Sequence, residues 1–344
     1  MATLFDVVTG GAGFIGSHLV DELLRRGRHV RAIDDLSVGR LGNVSQHRGN
    51  PNFEMIVADV ADQAGMLRLL AGADRVFHLA ARADIVPSIQ EPQAYFHANV
   101  DGTFAVLEAA RAHGVRRLVY SASSSCYGIP DVYPTPETAP ARPQYPYALT
   151  KYLGEQLVGH WAQLYNLPAV SLRFFNVYGP RARTSGTYGA VFVVFLGQLL
   201  AKEPLTIVGD GEQTRDFTYV TDIVDAICTA AEHAPAGAIY NVGSGKAQSV
   251  NRLVELLGAT ETVHIPKRPG EPDCTLADMS HIRVELGWKP KVSFEEGVAE
   301  MLANIDYWRT APVWTVDTIR EATADWFKYL TPSTGTSEET RRAV

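Results

Sequence analysis

The 344-residue chain is 46% hydrophobic and 20% charged, and 31 Lys and Arg against 38 Asp and Glu leave a net charge of −7. That length is about two domains' worth and buries a core without disulfides or metals, while 29 Gly and 19 Pro are ordinary for a globular enzyme and exclude a collagen-like or low-complexity chain. A mildly acidic balance with no long Lys/Arg run argues against nucleic-acid and membrane-surface partners. Cys126, Cys228 and Cys274 lie far apart and form no CxxC pair, which fits a reducing cytoplasm and no disulfide framework. The ten His include no HxH or HExxH spacing, so no metal site is expected. A strand begins almost at once with no basic-then-apolar leader, so no signal peptide is expected. The longest apolar run, Ala190 to Leu196, is far too short to span a bilayer.

In chain order, the first part alternates short β-rich runs with helical stretches. A strand over Phe5–Thr9 leads to a helix over Gly16–Arg26, then strands over His29–Asp34 and Phe53–Val57. A helix over Gln63–Leu70, a strand over Arg75–Leu79 and one long helix over Pro92–His113 follow. Strands over Leu118–Ser121 and Ala169–Phe174 flank a helix over Tyr147–Asn166. The strands are continuous apolar runs, as in a parallel sheet buried on both faces, and the βαβα order predicts a doubly wound α/β fold of the Rossmann type. After Gly179 the character changes. The polar, Gly-rich stretch 181–188 precedes a helix over Val191–Ala201 and a hairpin-like Leu205–Thr214 with Gly209-Asp210-Gly211 at its centre. A helix near Asp222–His233, a strand over Ile239–Val242, a helix over Asn251–Leu257 and a Pro-rich stretch 266–272 come next. We therefore expect a dinucleotide-binding domain over 1–178, with segments near 216–245 crossing back to it. A smaller α/β substrate-binding domain over 179–310 and a C-terminal helix within 311–331 complete the fold. The tail 332–344 has no periodic apolar residues and reads as disordered.

Thr9 to Gly16 read TGGAGFIG, after the first strand and opening the first helix. Gly10, Gly13 and Gly16, with Gly11 as an overlapping choice, supply a tight turn, close backbone approach to a pyrophosphate and amides at a helix N-terminus. The second strand ends in Asp34-Asp35, and Asp34 falls 18 residues after Gly16. A carboxylate there accepts from the adenosine ribose and repels a 2′-phosphate, which favours NAD over NADP; Arg40, a nearby cation, is the opposing signal. Asp59, after the third strand, either accepts from the adenine amino group or caps the following helix.

Tyr147-Ala148-Leu149-Thr150-Lys151 places a phenol and an ammonium at i and i+4 on one helix face, where the cation is expected to lower the tyrosine's pKa. Ser121 to Gly128, reading SASSSCYG, directly follows a strand and so lies at the carboxyl edge of the sheet, where ligands bind. A hydroxyl there can share a proton with Tyr147 across a substrate hydroxyl; the plain alternatives are a polar loop and an ordinary exposed helix face. Cys126 reads as packing.

The stretches VTGGAGFIGSHLV, FHLAA, NVDGT, SASSSCYG, YALTKYLGE, RFFNVYGPR, TRDFTYVTDI and YNVGSG together resemble the extended short-chain dehydrogenase/reductases, specifically the nucleotide-sugar epimerase/dehydratase family. The resemblance runs from residue 7 to about 290. It implies a catalytic set of Ser123, Tyr147 and Lys151, and NAD as cofactor. Beyond the glycines and acids already named, it implies that NAD meets Phe14, Ile15, Val60, Leu79, Ala80, Ala81, Asn99 and Ser121, along with Tyr147 and Lys151. Dehydratases of the family carry Asp-Glu after the catalytic hydroxyl residue, and UDP-glucuronate decarboxylases carry Glu at the second position. Ser124 and Ser125 stand here instead, so the resemblance implies a UDP-sugar 4-epimerase, working through a 4-keto sugar.

Arg215 and Arg268 fall where the family binds the substrate diphosphate, and Asn176 where it binds sugar or phosphate; surface salt bridges are the alternative for the arginines. Thr275 falls at the position whose size gates the C2 substituent, and a small residue admits N-acetylhexosamines. Arg183 either meets a uronate carboxylate or braces the polar loop. The family also pairs through helices matching Pro92–His113 and Tyr147–Asn166, which implies a homodimer. A dehydratase or decarboxylase on the same scaffold, and a non-catalytic dinucleotide sensor, are the competing functions.

Overall fold

The structure, a computed structural model, describes residues 4–182 and 189–331. Its centre is a seven-stranded parallel sheet. Across it the strands run Ile239–Val242, Ala169–Phe174, Arg117–Ser123, Ala73–His78, Phe5–Thr9, His29–Asp34 and Phe53–Val57. The chain first builds outward from Phe5–Thr9 in one direction and then returns to build on its other side. The order therefore reverses between Phe5–Thr9 and Ala73–His78, and a doubly wound sheet opens its ligand crevice at such a reversal. Helices Phe14–Arg25, Gly102–His113, Pro146–Tyr165 and Val220–His233 pack on this sheet. Val7, Val8, Phe77, Leu118, Val119, Val170 and Leu172 have essentially no exposure, so the central strands are apolar on both faces.

The strand at Ile239–Val242 pairs in parallel with Ala169–Phe174, which brings the late part of the chain back to the main sheet. The remaining late strands depart from expectation. Leu205–Val208 and Thr214–Tyr219 do not form a hairpin. Leu205–Val208 pairs in parallel with Thr262–Ile265, whereas Thr214–Tyr219 lies between Asn176–Tyr178 and Ala247–Ser249. All four residues of Leu205–Val208 are buried, so the strand lacks the half-exposed alternation of a surface hairpin arm. The left-handed Gly209 and Gly211 turn the chain away between the two strands.

The long helix expected over Pro92–His113 runs through but widens at its middle. Helical residues Pro92–Phe96 and Gly102–His113 are joined by one wide turn over His97–Asp101. Gly102 is needed there because a Cβ would come within 2.7 Å of Val60 Cγ2. The C-terminal helix appears as two short ones, Val316–Ala322 and Ala324–Leu330, separated at the buried Thr323, whose hydroxyl donates to Ile319 O at 2.8 Å. No helix among the described residues is long and apolar enough to cross a membrane. Residues 332–344, read above as a disordered tail, lie outside the described residues.

Candidate active site

The first strand ends at Thr9, and the chain must turn sharply to start the helix Phe14–Arg25. Gly10 takes φ +69°, and a Cβ on it would stand 2.8 Å from the Ala80 amide nitrogen. A Cβ on Gly16 would stand 2.0 Å from Gly10 O. Only hydrogen fits at either place, so the helix starts immediately against the strand end. Gly13, its N-cap, offers no side chain to the first turn of amides, and Gly13, Phe14, Ile15 and Gly16 border a cleft of about 820 Å³. An uncapped helix N-terminus facing a cleft suits a pyrophosphate. Val60 and the Leu79-Ala80-Ala81 turn border the same end of the cleft. That turn is held by Thr9, whose hydroxyl accepts from Ala80 N at 3.2 Å and meets His78 Nδ1 at 2.7 Å. Burial pulls His78 down to about 3, so its ring is a neutral structural partner.

Both acids at the end of the second strand border the cleft. Asp34 is buried and accepts from Ala12 N at 3.0 Å and Leu36 N at 2.9 Å; burial raises its pKa against those bonds. Asp35 is exposed and holds Ser37 through its amide and hydroxyl. Arg40 is turned to hydrogen-bond Tyr307 and is not among the residues bordering the cleft. Asp59 does not cap the following helix. Asp62 does, accepting from Gly65 N at 3.0 Å, while Asp59 borders the cleft and meets His97 Nε2 at 2.8 Å. Asn99 also departs from expectation. It lies behind the wall at 1% exposure, where its side chain bonds Arg82 N, Arg82 O and Thr150 Oγ1 and so pins the loop after Ala81.

At the carboxyl end of Arg117–Ser123 the chain tightens into a short helical turn, Ser124–Tyr127. Ser123 caps that turn by accepting from Ser125 N at 3.2 Å, which fixes its hydroxyl at the sheet edge. Pro146 opens the helix Pro146–Tyr165 and sets Tyr147 in its first turn. The Tyr147 hydroxyl reaches Ser123 Oγ at 3.3 Å, and Ser123 Oγ meets Ser125 Oγ at 2.8 Å. A chain of three hydroxyls thus lines the cleft beside Ser121, Ser124 and Lys151. Burial raises the Tyr147 pKa, the bonds to Ser123 and Ser125 oppose it, and the nearby Asp84 carboxylate adds to it. The net shift of Tyr147 is thus upward, against the lowering expected from the neighbouring cation. Burial pushes the Lys151 ammonium itself down to about 7, so it is a weak cation near neutral pH. Its Nζ packs 4.4 Å from the centre of the Tyr120 ring. Cys126 is buried at 1% exposure with its thiol pushed up to about 12, which fits packing.

Farther along the cleft, Arg215 and Arg268 converge on one carboxylate. Arg215 donates to Glu271 Oε1 at 2.8 Å, and Arg268 Nε lies 3.2 Å from Glu271 Oε2. Asn176 and Thr275 meet there too, the Thr275 hydroxyl donating to Asn176 Oδ1 at 2.8 Å. That contact brings together two positions 99 residues apart in the chain. Asp216 anchors this region from below, accepting from Ser244, Gly245 and Ala277 amides. Arg183 lies outside the described residues. Among the described residues, no group of three or more His, Cys, Asp or Glu is arranged to hold a metal.

Glu271, Asp84 and Trp326 border the cleft and were missed in the sequence. Glu271 had a signal, three residues after Arg268 in a Pro/Gly loop. Asp84 and Trp326 had none, because their places depend on contacts between distant segments.

The profile of the NAD dependent epimerase/dehydratase family matches residues 7–243. A UDP-glucose 4-epimerase of Mycolicibacterium smegmatis is 40% identical over 86% of this chain and 96% of its own length. UDP-glucuronic acid decarboxylase 2 of Arabidopsis thaliana is 36% identical over 87% of this chain and 67% of its own length. The crystal structure of Thermotoga maritima UDP-glucose 4-epimerase with UDP-glucose superposes with a TM-score of 0.82 at 36% identity, covering 89% of this chain and 99% of that one. The chain belongs to the NAD dependent epimerase/dehydratase family, and NAD is its cofactor.

Proposed function

We propose that this protein inverts C4 of a UDP-sugar through a 4-keto intermediate. The observation that carries the reading is the hydroxyl chain from Tyr147 through Ser123 to Ser125, set beside a glycine cradle, with serines and no carboxylates at 124 and 125. Bound NAD supplies the hydride acceptor and donor at C4, and Gly10, Gly13, Gly16 and the first turn of Phe14–Arg25 are the residues to hold its pyrophosphate. Asp34 and Asp35 are suited to the adenosine ribose.

Tyr147 takes the proton from the sugar O4, with Ser123 sharing the hydrogen bond, and returns it after the keto sugar has turned in the cleft. Lys151 is the neighbouring group whose charge answers the phenolate that forms. Removing water across C5–C6 needs an acid and a base at 124 and 125, and serine hydroxyls hold their protons too tightly near neutral pH for either task. Arg215 and Arg268 are the diphosphate ligands, and an arriving diphosphate competes with Glu271 for them. Thr275 is small and tied to Asn176, which leaves room for a C2 N-acetyl group as well as a hydroxyl.

We read residues 1–178 as the cofactor-binding part, with the segment near 216–245 returning to it, and 179–310 as the substrate-binding part. We also read the protein as a cytoplasmic homodimer, on family resemblance alone. The test is incubation with UDP-, dTDP-, GDP- and CDP-sugars, both plain and N-acetylated, with products identified by NMR. The C4 epimer of a UDP-sugar is expected, and Tyr147→Phe should lower its rate by a thousandfold or more, on the scale of losing an essential acid–base group (~10³). Release of water or CO₂ without a C4 epimer would make the protein a dehydratase or decarboxylase instead.

A further inference from the structure

The chain continues past its motif-bearing part. After Trp308 it passes back along the cleft as the segment 311–330, and Pro312, Trp314 and Trp326 border the cleft. The Trp314 carbonyl accepts from Gln198 Nε2 at 2.7 Å, which seats the start of this segment on the helix Val191–Ala201. Trp326 is 4% exposed and is held by two contacts to one loop. Its indole N–H donates to Pro269 O at 2.7 Å, and the Arg268 guanidinium lies over its ring at 5.1 Å from the centre. The neighbouring Asp325 accepts from Gln90 Nε2 at 2.8 Å. Gln90 ends the helix Ile85–Gln90, directly after the cleft-bordering loop of Asp84. The helix Ala324–Leu330 therefore ties the loop of Arg268 to the cofactor side of the cleft.

Arg268 needs such help. Its loop, 266–272, contains neither strand nor helix. The backbone alone therefore leaves a long, rotamer-rich side chain undirected. Glu271 holds the guanidinium from one edge. An aromatic ring beside it restricts the guanidinium without itself taking up an N–H donor.

We propose that Trp326 is a positioning residue of the diphosphate subsite, and that the C-terminal segment completes the nucleotide-sugar site by seating Arg268 on this indole and holding Pro269. The proposal rests on the UDP-sugar reading above. The test is titration calorimetry of UDP into NAD-loaded protein, for wild type, Arg268→Ala, Trp326→Leu, Trp326→Phe and the Trp326→Leu/Arg268→Ala double variant. Trp326→Leu keeps apolar bulk, and its thermal melt reports that it is folded. It should weaken UDP binding about tenfold, whereas Trp326→Phe, which keeps an aromatic face, should stay within about threefold of wild type. The double variant should bind no more weakly than Arg268→Ala, because the tryptophan acts through the arginine. In steady state, KM for the sugar nucleotide should rise with little change in kcat. Wild-type UDP affinity in Trp326→Leu, or a loss that adds in full to that of Arg268→Ala, overturns the proposal. Wild-type UDP affinity in Arg268→Ala overturns the diphosphate reading itself, so the two failures are distinguishable.

Discussion

Lys151 is a cation that the fold makes hard to charge. It is 4% exposed, packs on the Tyr120 ring, and is pushed down to about 7 by burial against the weaker opposing pull of Glu155. A base whose pKa is lowered on folding leaves the unfolded chain binding more protons over the window between the two values. Stability therefore rises with pH from about 7 to the ordinary lysine value of 10.5, and the whole cost of burying the charge is felt below 7. Lys151→Met removes that cost. Without NAD, the variant should melt at least ~2 °C above wild type at pH 6, with the gap shrinking by pH 9, while its epimerase activity is lost. A lower melting temperature at pH 6 would show that the ammonium is solvated or paired in the native protein. Burial also acts on Tyr147, whose pKa it raises.

At the scale of elements, the helix of Tyr147 and Lys151 is locked to the sheet one turn beyond Lys151. Glu155, 2% exposed, accepts from Arg173 at 2.8 and 2.6 Å, and Arg173 is 5% exposed on the strand Ala169–Phe174. Arg173 also donates to the Tyr127 hydroxyl at 2.7 Å, which donates onward to Asn241 Oδ1 at 2.7 Å. Tyr127 closes the turn that begins at Ser123, so this network connects the helix of Tyr147 with the turn that holds its partner hydroxyl. Glu155→Ala leaves a buried guanidinium without its counter-charge and should cost ~3–5 kcal/mol. The loss would appear in urea unfolding as a lower midpoint at unchanged slope. A Glu155→Met/Arg173→Met pair should recover most of it, since no lone charge is then buried. A cost below ~1 kcal/mol for Glu155→Ala would mean that water reaches the pair.

Across the whole molecule, one cleft is bounded by the strand ends of the main sheet, by the late strands and loops, and by the C-terminal segment. A ligand lying along it touches all of these parts at once. Stripping NAD should therefore lower the melting temperature by ~5 °C or more, and adding it back to ~100 times its Kd should restore about 2.7 kcal/mol. An unchanged melting temperature would mean that the cofactor does not bind the native state. The acidic chain, at net −7, gathers Arg215 and Arg268 on the single carboxylate of Glu271, so a diphosphate bound as proposed would meet local positive charge in an acidic protein.

The strands from Phe5–Thr9 to Ala169–Phe174, the glycine turn and the Tyr147 helix were legible in the chain itself. Buried parallel strands are continuous apolar runs, a tight βα turn admits only glycine, and i to i+4 spacing is a local property of a helix. Only the tertiary structure decided the rest. Whether Leu205–Val208 pairs with Thr214 or with Thr262–Ile265 depends on which distant strand shares its buried surface. That Asp62 rather than Asp59 caps a helix, and that Asn99 faces the Arg82 loop rather than the cleft, depends on neighbours brought in from elsewhere. The lowered pKa of Lys151 has the same origin, since burial is a property of the assembled core and not of a five-residue spacing. Local chemistry named the groups; long-range packing set their partners and protonation.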